Sequence, residues 1–216
     1  YRSLVGVLQH LATISRPDIL YSASFFARCL LKPTMADLNR AKRCLSYLVG
    51  TAALSTRICD MNTESNLLRG VSDAGWSTGP HGRSVSGFCI LLNGGLIKAK
   101  ASLQTRVSLS SCEAELKSLS KTAVSVGKIQ ESLEEFNIDV KTRLETDNLP
   151  GIKIINGEGD RDLSRQATRD VGFLQEMMSH DEVTISNVPG NIIVADIFLK
   201  ALAKIKFEAL RKQLVS

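Results

Sequence analysis

Apolar residues recur at helical spacing through the first fifty positions of the chain. They form three series, and each ends before a helix breaker: residues 4–11 before Pro17, residues 19–30 before Pro33, and residues 38–48 before Gly50. Thr34 and Asp37 have the spacing of a capping box at the start of the third series. We therefore predict three short helices, with Gly50 as a C-cap, and a polar linker over residues 51–66.

From residue 67 onward the apolar pattern becomes that of strands. Three apolar runs cover residues 67–73, 85–92 and 96–103, and Asn93-Gly94 between the last two is a strong hairpin signal. The later segments alternate: a long helix over 111–136, a strand over 142–146, a loop with a short helix, a helix over 169–178, a strand over 182–188, and helices from about residues 192 and 206. This order predicts an α/β fold, with a mixed sheet flanked by helices.

Four carboxylates interrupt stretches that otherwise resemble buried strands or the edges of buried helices: Asp73, Glu115, Asp147 and Asp196. An ionised carboxylate in such a place is costly unless a cation or hydrogen-bond donors meet it. Asp73 and Asp147 end predicted strands, and the other two fall near the starts of predicted helices, where ligand sites gather. Because the cluster offers only oxygen ligands, without His or Cys, it predicts a site for Mg²⁺ or Mn²⁺.

A fifth acid, Glu113, is close in sequence but has a different predicted role. Glu113 and Glu115 are two residues apart on a helix, roughly 200° around its axis, so both cannot face one metal ion. Ser110 and Glu113 have the spacing of a capping box, in which the glutamate accepts from the N-cap amide. We therefore assign Glu113 to the helix cap and leave Glu115 for chemistry.

The length and composition of the chain limit the classes of protein that could carry this site. With 216 residues, 44% of them hydrophobic, the chain can bury a core as one domain or as one domain with an appendage. No apolar run approaches the roughly 20 residues that span a bilayer, and no signal pattern begins the chain, so we expect a soluble protein. The chain begins at Tyr1, which we interpret as the start of a piece of something longer.

Charge is unevenly distributed along the chain. Residues 1–66 carry a net charge of +4 and the remainder +1. A basic helical segment is compatible with phosphate contacts, although a solvated helix face is the simpler explanation.

Other kinds of site have little support. The cysteines are widely spaced and form no C-x-x-C pair, so we interpret them as reduced thiols of an intracellular protein rather than as zinc ligands or disulfides: Cys29, Cys44, Cys59, Cys89 and Cys112. His10, His81 and His180 have no metal-ligand spacing. The chain also lacks a Gly-x-Ser-x-Gly elbow, a phosphate-cradling Walker motif and a Rossmann glycine pattern.

Seven separated motifs together resemble one known family. They are YRSLVG at 1–6, RPDI at 16–19, KRCLSYL at 42–48 with GT at 50–51, SDAGW at 72–76, LSSCEAE at 109–115, TDN at 146–148 and ADIFLK at 195–200. In this order they resemble the C-terminal part of copia-type retrotransposon Pol polyproteins, across nearly the whole chain. The resemblance implies that residues 1–60 are the thumb and connection segment of a reverse transcriptase, and that residues 61–216 form a ribonuclease H-like domain.

The resemblance also carries a fold and a chemistry. It implies a five-stranded mixed sheet, with strands one to three antiparallel and strands four and five parallel to the first. It implies endonucleolytic hydrolysis of the RNA strand of RNA/DNA hybrids with two Mg²⁺ ions, which Mn²⁺ can replace. Asp73 would bridge the ions, Glu115 and Asp147 would hold the leaving-group side, and Asp196 would hold the side of the attacking water.

Partners and location follow from the same resemblance. The implied partners are the RNA/DNA hybrid and the upstream reverse transcriptase domain of the same polyprotein, with no membrane. The implied location is intracellular, in cytoplasmic virus-like particles or the nucleus. Candidate substrate contacts are Asn148 beside the metals and Arg83, Lys98 and Lys100 on the sheet, with solvated surface charge as the simpler explanation for each lysine.

Several positions depart from the family pattern. Six positions carry residues other than those usual in the family: Gly75, Ala99, Leu116, Gln166, Leu199 and Ala201. Gln166 replaces a histidine, and Ala99 replaces a tryptophan. None of these changes removes a predicted metal ligand. They keep two alternatives open: a decayed or domesticated copy that binds nucleic acid or a partner without cutting, and a structural extension of a polymerase whose front helices grip the duplex.

Overall fold

A computed structural model describes residues 1–57, 65–159 and 162–216 of the chain. The helices of this part are α1 (Arg2–Ile14), α2 (Leu20–Arg28), α3 (Met35–Gly50), α4 (Ser111–Glu135), α5 (Leu149–Ile155), α6 (Arg165–Ser179) and α7 (Lys204–Arg211). The strands are β1 (Leu67–Gly75), β2 (Val85–Leu92), β3 (Gly95–Leu103), β4 (Lys141–Thr146) and β5 (Thr184–Asn187). Short 3₁₀ helices cover Pro17–Ile19, Pro80–Gly82 and Val194–Phe198.

The five strands form one mixed sheet in the order β3-β2-β1-β4-β5. β2 pairs antiparallel with both β1 and β3, whereas β4 lies parallel to β1 and β5 parallel to β4. The hairpin between β2 and β3 turns through Asn93 and Gly94, both at positive φ, 50° and 78°. Positive φ at two consecutive residues is typical of the tight hairpin turn that the Asn-Gly pair predicts. The ribonuclease H-like sheet that the family resemblance implies is therefore confirmed.

One face of the sheet packs against α4 and α6. Gly70 of β1 permits the close approach of α4, because a Cβ there would lie 2.8 Å from the side chain of Val126 and 2.9 Å from that of Thr122. Leu68 and Leu144 of the sheet join Leu119 of α4 in the core on this side, each 2% exposed or less. The long helix is thereby fixed against the strand that carries Asp73.

The other face packs against the three front helices and the C-terminal segment. Val5, Leu8 and Ala23 of the front helices belong to one buried cluster with Val71 of β1 and Leu214 near the C-terminus. Residues 1–57 and the sheet therefore share a hydrophobic core in the described part of the chain. The assignment of residues 1–60 to a reverse transcriptase thumb and connection segment, and of residues 61–216 to a ribonuclease H-like domain, stays a prediction.

A buried polar network also ties the front helices to α7. Arg16 pairs with Asp18 at 2.8 Å, with side chains 7% and 0% exposed. The hydroxyl of Tyr47 donates to Asp18 at 2.6 Å and accepts from Arg211 of α7 at 3.1 Å. The network thus joins the 3₁₀ helix that carries Asp18 to α3 through Tyr47, and the Tyr47 hydroxyl joins both to α7.

The predicted linker over 51–66 is wrong over its first part. The backbones of Ser55 and Ser216 exchange two hydrogen bonds of 3.0 Å, and Thr56 bridges to Val215. These contacts bind residues 55–57 to the C-terminus of the chain. Residues 58–64, which hold Cys59 and the middle of the predicted linker, lie outside the described residues.

Most element boundaries agree with the prediction, with three differences. The Thr34–Asp37 capping box is present, but α3 includes Gly50 and its C-cap is Thr51 at φ −127°, so the predicted glycine cap is wrong. Asp196 lies in a 3₁₀ helix rather than in an α-helix starting near residue 192. The helix α6 begins at Arg165, four residues before the predicted start.

Candidate active site

The four predicted carboxylates line one cavity of about 280 Å³ at an edge of the sheet. Asp73 lies near the end of β1 and Asp147 directly follows β4. Glu115 lies in the second turn of α4, and Asp196 lies in the 3₁₀ helix that follows β5. Because β1 and β4 are parallel neighbours, their carboxyl ends meet at this edge. The topology therefore brings together side chains that are far apart in sequence.

Three of the four acids form a tight group. Asp73, Glu115 and Asp147 each offer a carboxylate oxygen, and these three oxygens lie within 4.8 Å of one another. Asp196 lines the same cavity, but its oxygens are paired with two lysines: Lys200 Nζ at 2.5 Å and Lys206 Nζ at 2.5 Å. Within the described residues, the cavity thus contains three acids without a lysine or arginine ion pair beside a fourth acid that has two.

Local contacts fix the backbones that carry these acids. The hydroxyl of Ser118 on α4 donates to the carbonyl of Asp73 at 2.8 Å, which ties α4 to the end of β1. Gly190 passes so close to Asp147 that a Cβ there would lie 2.6 Å from its Oδ2. Only glycine lets the backbone approach the carboxylate in this way.

The electrostatics of the site are those of crowded, buried acids. Burial, together with hydrogen bonding to Asp196 and the charge of Asp147, raises the pKa of Asp73 to about 8. Burial and the nearby Asp147 raise the pKa of Glu115 to about 7. Burial also raises the pKa of Asp147. The triplet therefore binds protons unusually well, which is the behaviour of carboxylates that lack a cation.

Asp196 differs from the triplet in its protonation. Although burial opposes it, hydrogen bonds from Asp73, Lys200 and Lys206 lower the pKa of Asp196. Asp196 is therefore the carboxylate of the cavity that stays ionised most readily, and Asp73 is the one that shares a proton with it.

The donor set fits a hard divalent cation. All candidate ligands of the triplet are carboxylate oxygens, which suit Mg²⁺ and Mn²⁺. A divalent charge at this point would offset the burial and the mutual repulsion that raise the pKa values of Asp73 and Glu115. The arrangement of the carboxylate oxygens and their raised pKa values are thus both compatible with a cation at this position.

Glu113 has the structural position that was predicted, with a different partner. Ser110 accepts from the backbone N–H of Glu113 at 3.2 Å, as a capping residue should. The Glu113 carboxylate, however, accepts from the N–H groups of Leu109 at 3.1 Å and Ser164 at 2.7 Å, not from that of Ser110. Glu113 therefore joins the start of α4 to the start of α6, and the reciprocal half of the predicted capping box is wrong.

The predicted substrate contacts lie outside the carboxylate cavity. Asn148 is 5% exposed, and its side chain accepts from Gly151 N–H at 2.9 Å and donates to the carbonyl of Cys112 at 3.3 Å. Its amide is thus engaged in capping α5. Lys98 and Lys100 are exposed on the edge strand β3, and Arg83 is half-buried before β2. A role for these four residues in substrate binding stays a prediction.

Two of the substituted family positions also lie away from the cavity. Gln166 lines a separate cavity of about 220 Å³ with Lys117, Lys121 and Asp170. Ala99 packs against the core that the sheet shares with the front helices.

Sequence reasoning missed the two lysines of the cavity. Lys200 is four residues after Asp196, and that spacing in a helical segment was a usable signal. Lys206 is ten residues after Asp196 and begins no recognisable pattern, so only the fold brings it there.

Several known proteins are similar to this chain. No protein-family model matches the chain. An uncharacterised mitochondrial protein of Arabidopsis thaliana is 38% identical over 125 residues, which cover 57% of this chain and 50% of that protein. The Pol polyprotein of transposon RE2 of Arabidopsis thaliana is 27% identical over 96% of this chain, and that of transposon TNT 1-94 of Nicotiana tabacum is 26% identical over 100% of it. Over nearly its whole length, the chain is therefore similar to copia-type retrotransposon Pol polyproteins.

The chain spans only part of these relatives: 14% of the RE2 polyprotein, 16% of the TNT 1-94 polyprotein and half of the mitochondrial protein. Among solved structures, the N-terminal ribonuclease H domain of a Mycobacterium tuberculosis protein is 14% identical, covering 68% of this chain and 98% of that one, with a TM-score of 0.48. Within the described residues, no helix is both long and apolar enough to cross a membrane.

Proposed function

We propose that this chain is the ribonuclease H part of a retrotransposon reverse transcriptase and hydrolyses the RNA strand of RNA/DNA hybrids endonucleolytically. The observation that carries the proposal is the convergence of three carboxylate oxygens within 4.8 Å, with a fourth carboxylate in the same cavity. The similarity to Pol polyproteins and the strand order β3-β2-β1-β4-β5 support it.

The chain's own residues would divide the work as follows. Asp73 belongs to the triplet and also shares a hydrogen bond with Asp196, so it would take part in holding both of two Mg²⁺ ions, or two Mn²⁺ ions in their place. Glu115 and Asp147 would hold the ion on the leaving-group side, and Asp196 the ion on the side of the water. When bound, such ions activate the attacking water and stabilise the charge that builds on the phosphate and the leaving oxygen.

Substrate selection would rest on the shape and the 2′-hydroxyl of the hybrid rather than on base identity. Lys98 and Lys100 present two positive charges on the exposed edge strand, where phosphates can reach them. Arg83 and Asn148 would contribute closer to the strand ends. We also propose that the upstream reverse transcriptase domain of the same polyprotein is the physical partner, and that both act inside cytoplasmic virus-like particles or in the nucleus.

A cleavage assay tests the proposal. We expect the purified protein to cut the labelled RNA strand of a hybrid in Mg²⁺ and not in EDTA, and an Asp73→Asn variant to lose the activity. Asn keeps the shape of the side chain and removes its charge, so circular dichroism should show both proteins folded alike. A folded protein that cuts no better than Asp73→Asn would contradict the nuclease proposal, and hybrid binding without cleavage would favour a decayed or domesticated copy.

A further inference from the structure

Two lysine side chains reach into the carboxylate cavity from the segment that follows Asp196. Lys200 Nζ lies 2.5 Å from Asp196 Oδ1, and Lys206 Nζ lies 2.5 Å from Asp196 Oδ2. Both lysines line the cavity together with the three other acids. Each oxygen of Asp196 therefore has an ammonium partner of its own.

These ammonium groups stand where a metal ion would have to bind Asp196. Mg²⁺ binds carboxylate oxygen at about 2.0–2.1 Å and demands near-octahedral surroundings. An ammonium group in contact with the same oxygen takes up part of that space and repels the incoming ion. We propose that Lys200 and Lys206 are resident counter-cations that compete with the metal ion for Asp196 and so set the metal affinity of the site. This inference rests on the proposed metal site.

The formal charges of the cavity support competition rather than simple neutralisation. Four carboxylates and two ammonium groups line it, so the lysines offset half of the acidic charge. The Asp73, Glu115 and Asp147 triplet keeps no lysine partner among the ion pairs of the described residues, and it remains able to attract a cation. The lysines therefore act most directly on Asp196, the acid with which they form ion pairs.

The two lysines differ in how firmly they are held. The Lys200 side chain is 56% exposed and pairs with Asp196 alone among the described ion pairs. The Lys206 side chain is 35% exposed and also donates to the carbonyl of Gly190 at 3.2 Å, which fixes it to the loop beside Asp147. Lys200 should therefore yield to a metal ion readily, whereas Lys206 also has a structural role.

Calorimetric titration of the metal-free protein with Mg²⁺ and Mn²⁺, without nucleic acid, tests the inference. We expect Lys200→Met and Lys206→Met to bind metal on the order of tenfold more tightly than the parent protein. Lys206→Met should also lower the melting temperature of the metal-free protein, because it loses the Gly190 contact. Lys200→Arg keeps the charge and should bind metal like the parent. The matched control is Lys204→Met, which changes an exposed lysine outside the cavity, on the helix α7 that also carries Lys206.

The outcomes separate this inference from the proposed function. Tighter binding by Lys200→Met, with Lys204→Met unchanged, supports the inference, even where the hybrid is not cleaved and the nuclease proposal fails alone. Metal affinity that is unchanged or weaker in Lys200→Met, while the parent binds metal, overturns it. If neither the parent nor any variant binds metal, the metal site and the inference are both wrong. Because Lys200 is exposed, its substitution should fold even where Lys206→Met does not.

Discussion

Two buried acids of this chain, Asp18 and Asp73, lie in opposite kinds of surroundings. Asp18 is 3% exposed and is met by Arg16 at 2.8 Å and by the Tyr47 hydroxyl at 2.6 Å. Asp73 is 7% exposed and faces other carboxylates, with burial and those neighbours raising its pKa to about 8. The first arrangement supplies its own cation, whereas the second has no cation in an ion pair with Asp73 within the described residues. A buried acid indicates a binding site only when its counter-charge is missing.

Removing the partner of Asp18 should have the largest effect on stability. In Arg16→Met the Asp18 carboxylate keeps its burial and loses its cation, so the free energy of unfolding should fall by about 3–5 kcal/mol. Urea denaturation measures the change. The double variant Arg16→Met/Asp18→Asn should recover a large part of it. Asp73→Asn is the matched contrast, since it removes repulsion and should alter the stability of the metal-free protein by no more than about 1 kcal/mol. Equal losses in Arg16→Met and Asp73→Asn would remove the distinction between the two acids.

The same contrast can be made within one helix. Glu113→Gln weakens two charge-assisted hydrogen bonds, to Leu109 and Ser164, and should lower the free energy of unfolding by about 1–3 kcal/mol. Glu115→Gln changes a proposed metal ligand that makes no side-chain hydrogen bond within the described residues, so it should abolish cleavage and leave stability close to that of the parent. Paired denaturation and cleavage assays measure both effects. Reversed results would show that the roles of the two glutamates have been exchanged.

The pH dependence of stability should reveal the uncompensated acids. The folded-state pKa values of Asp73 and Glu115 are raised, to about 8 and about 7, so folding favours their protonated forms. This contribution to stability is full below about pH 4 and is lost as the pH rises through 7 and 8. The melting temperature of the metal-free protein should therefore fall between pH 6 and pH 9.

Mg²⁺ should counteract that fall, because the metal ion binds the deprotonated carboxylates. The stabilisation by Mg²⁺ should thus be larger at pH 9 than at pH 6, and it should be largely absent in Asp73→Asn. Thermal denaturation with Mg²⁺ and with EDTA measures both quantities. An equal effect of Mg²⁺ at the two pH values would show that these acids do not bind it.

The smallest expected effect concerns the edge strand. If Lys98 and Lys100 contact phosphates, the double variant Lys98→Gln/Lys100→Gln should bind the hybrid more weakly. Its binding should release about one to two fewer counterions, so its affinity should fall less steeply with salt concentration. Fluorescence anisotropy in Ca²⁺ at several salt concentrations measures this. A matched variant is Lys128→Gln/Lys153→Gln, which changes two lysines of α4 and α5 outside the carboxylate cavity. An identical salt dependence in the parent and the β3 variant would exclude these contacts.

Much of this fold is predictable because its local signals are strong. The Asn93-Gly94 turn, the Thr34–Asp37 cap and the change from helical to strand periodicity at residue 67 each depend on neighbours in sequence. The triplet was predictable for a related reason, because charged residues at the ends of apolar strands are rare without a partner. Asp73 and Asp147 meet because β1 and β4 pair in parallel, and Glu115 joins them because α4 packs against β1.

The remaining features depend on contacts between distant residues. The pairing of Ser55 with Ser216 turns a polar segment that looked like a linker into an edge of the fold. Lys206 reaches Asp196 only because α7 packs back against the 3₁₀ helix. No local pattern encodes these contacts, since each needs the whole sheet to be in place.

Diffraction from crystals soaked in Mn²⁺ tests the central claim most directly, because anomalous scattering locates the ion without reference to activity. The account predicts an anomalous peak among the oxygens of Asp73, Glu115 and Asp147, with the Asp73→Asn crystal losing it. Saturating Mn²⁺ that leaves this point without a peak, while the carboxylates stay in their present positions, would contradict the claim that these acids form a metal site.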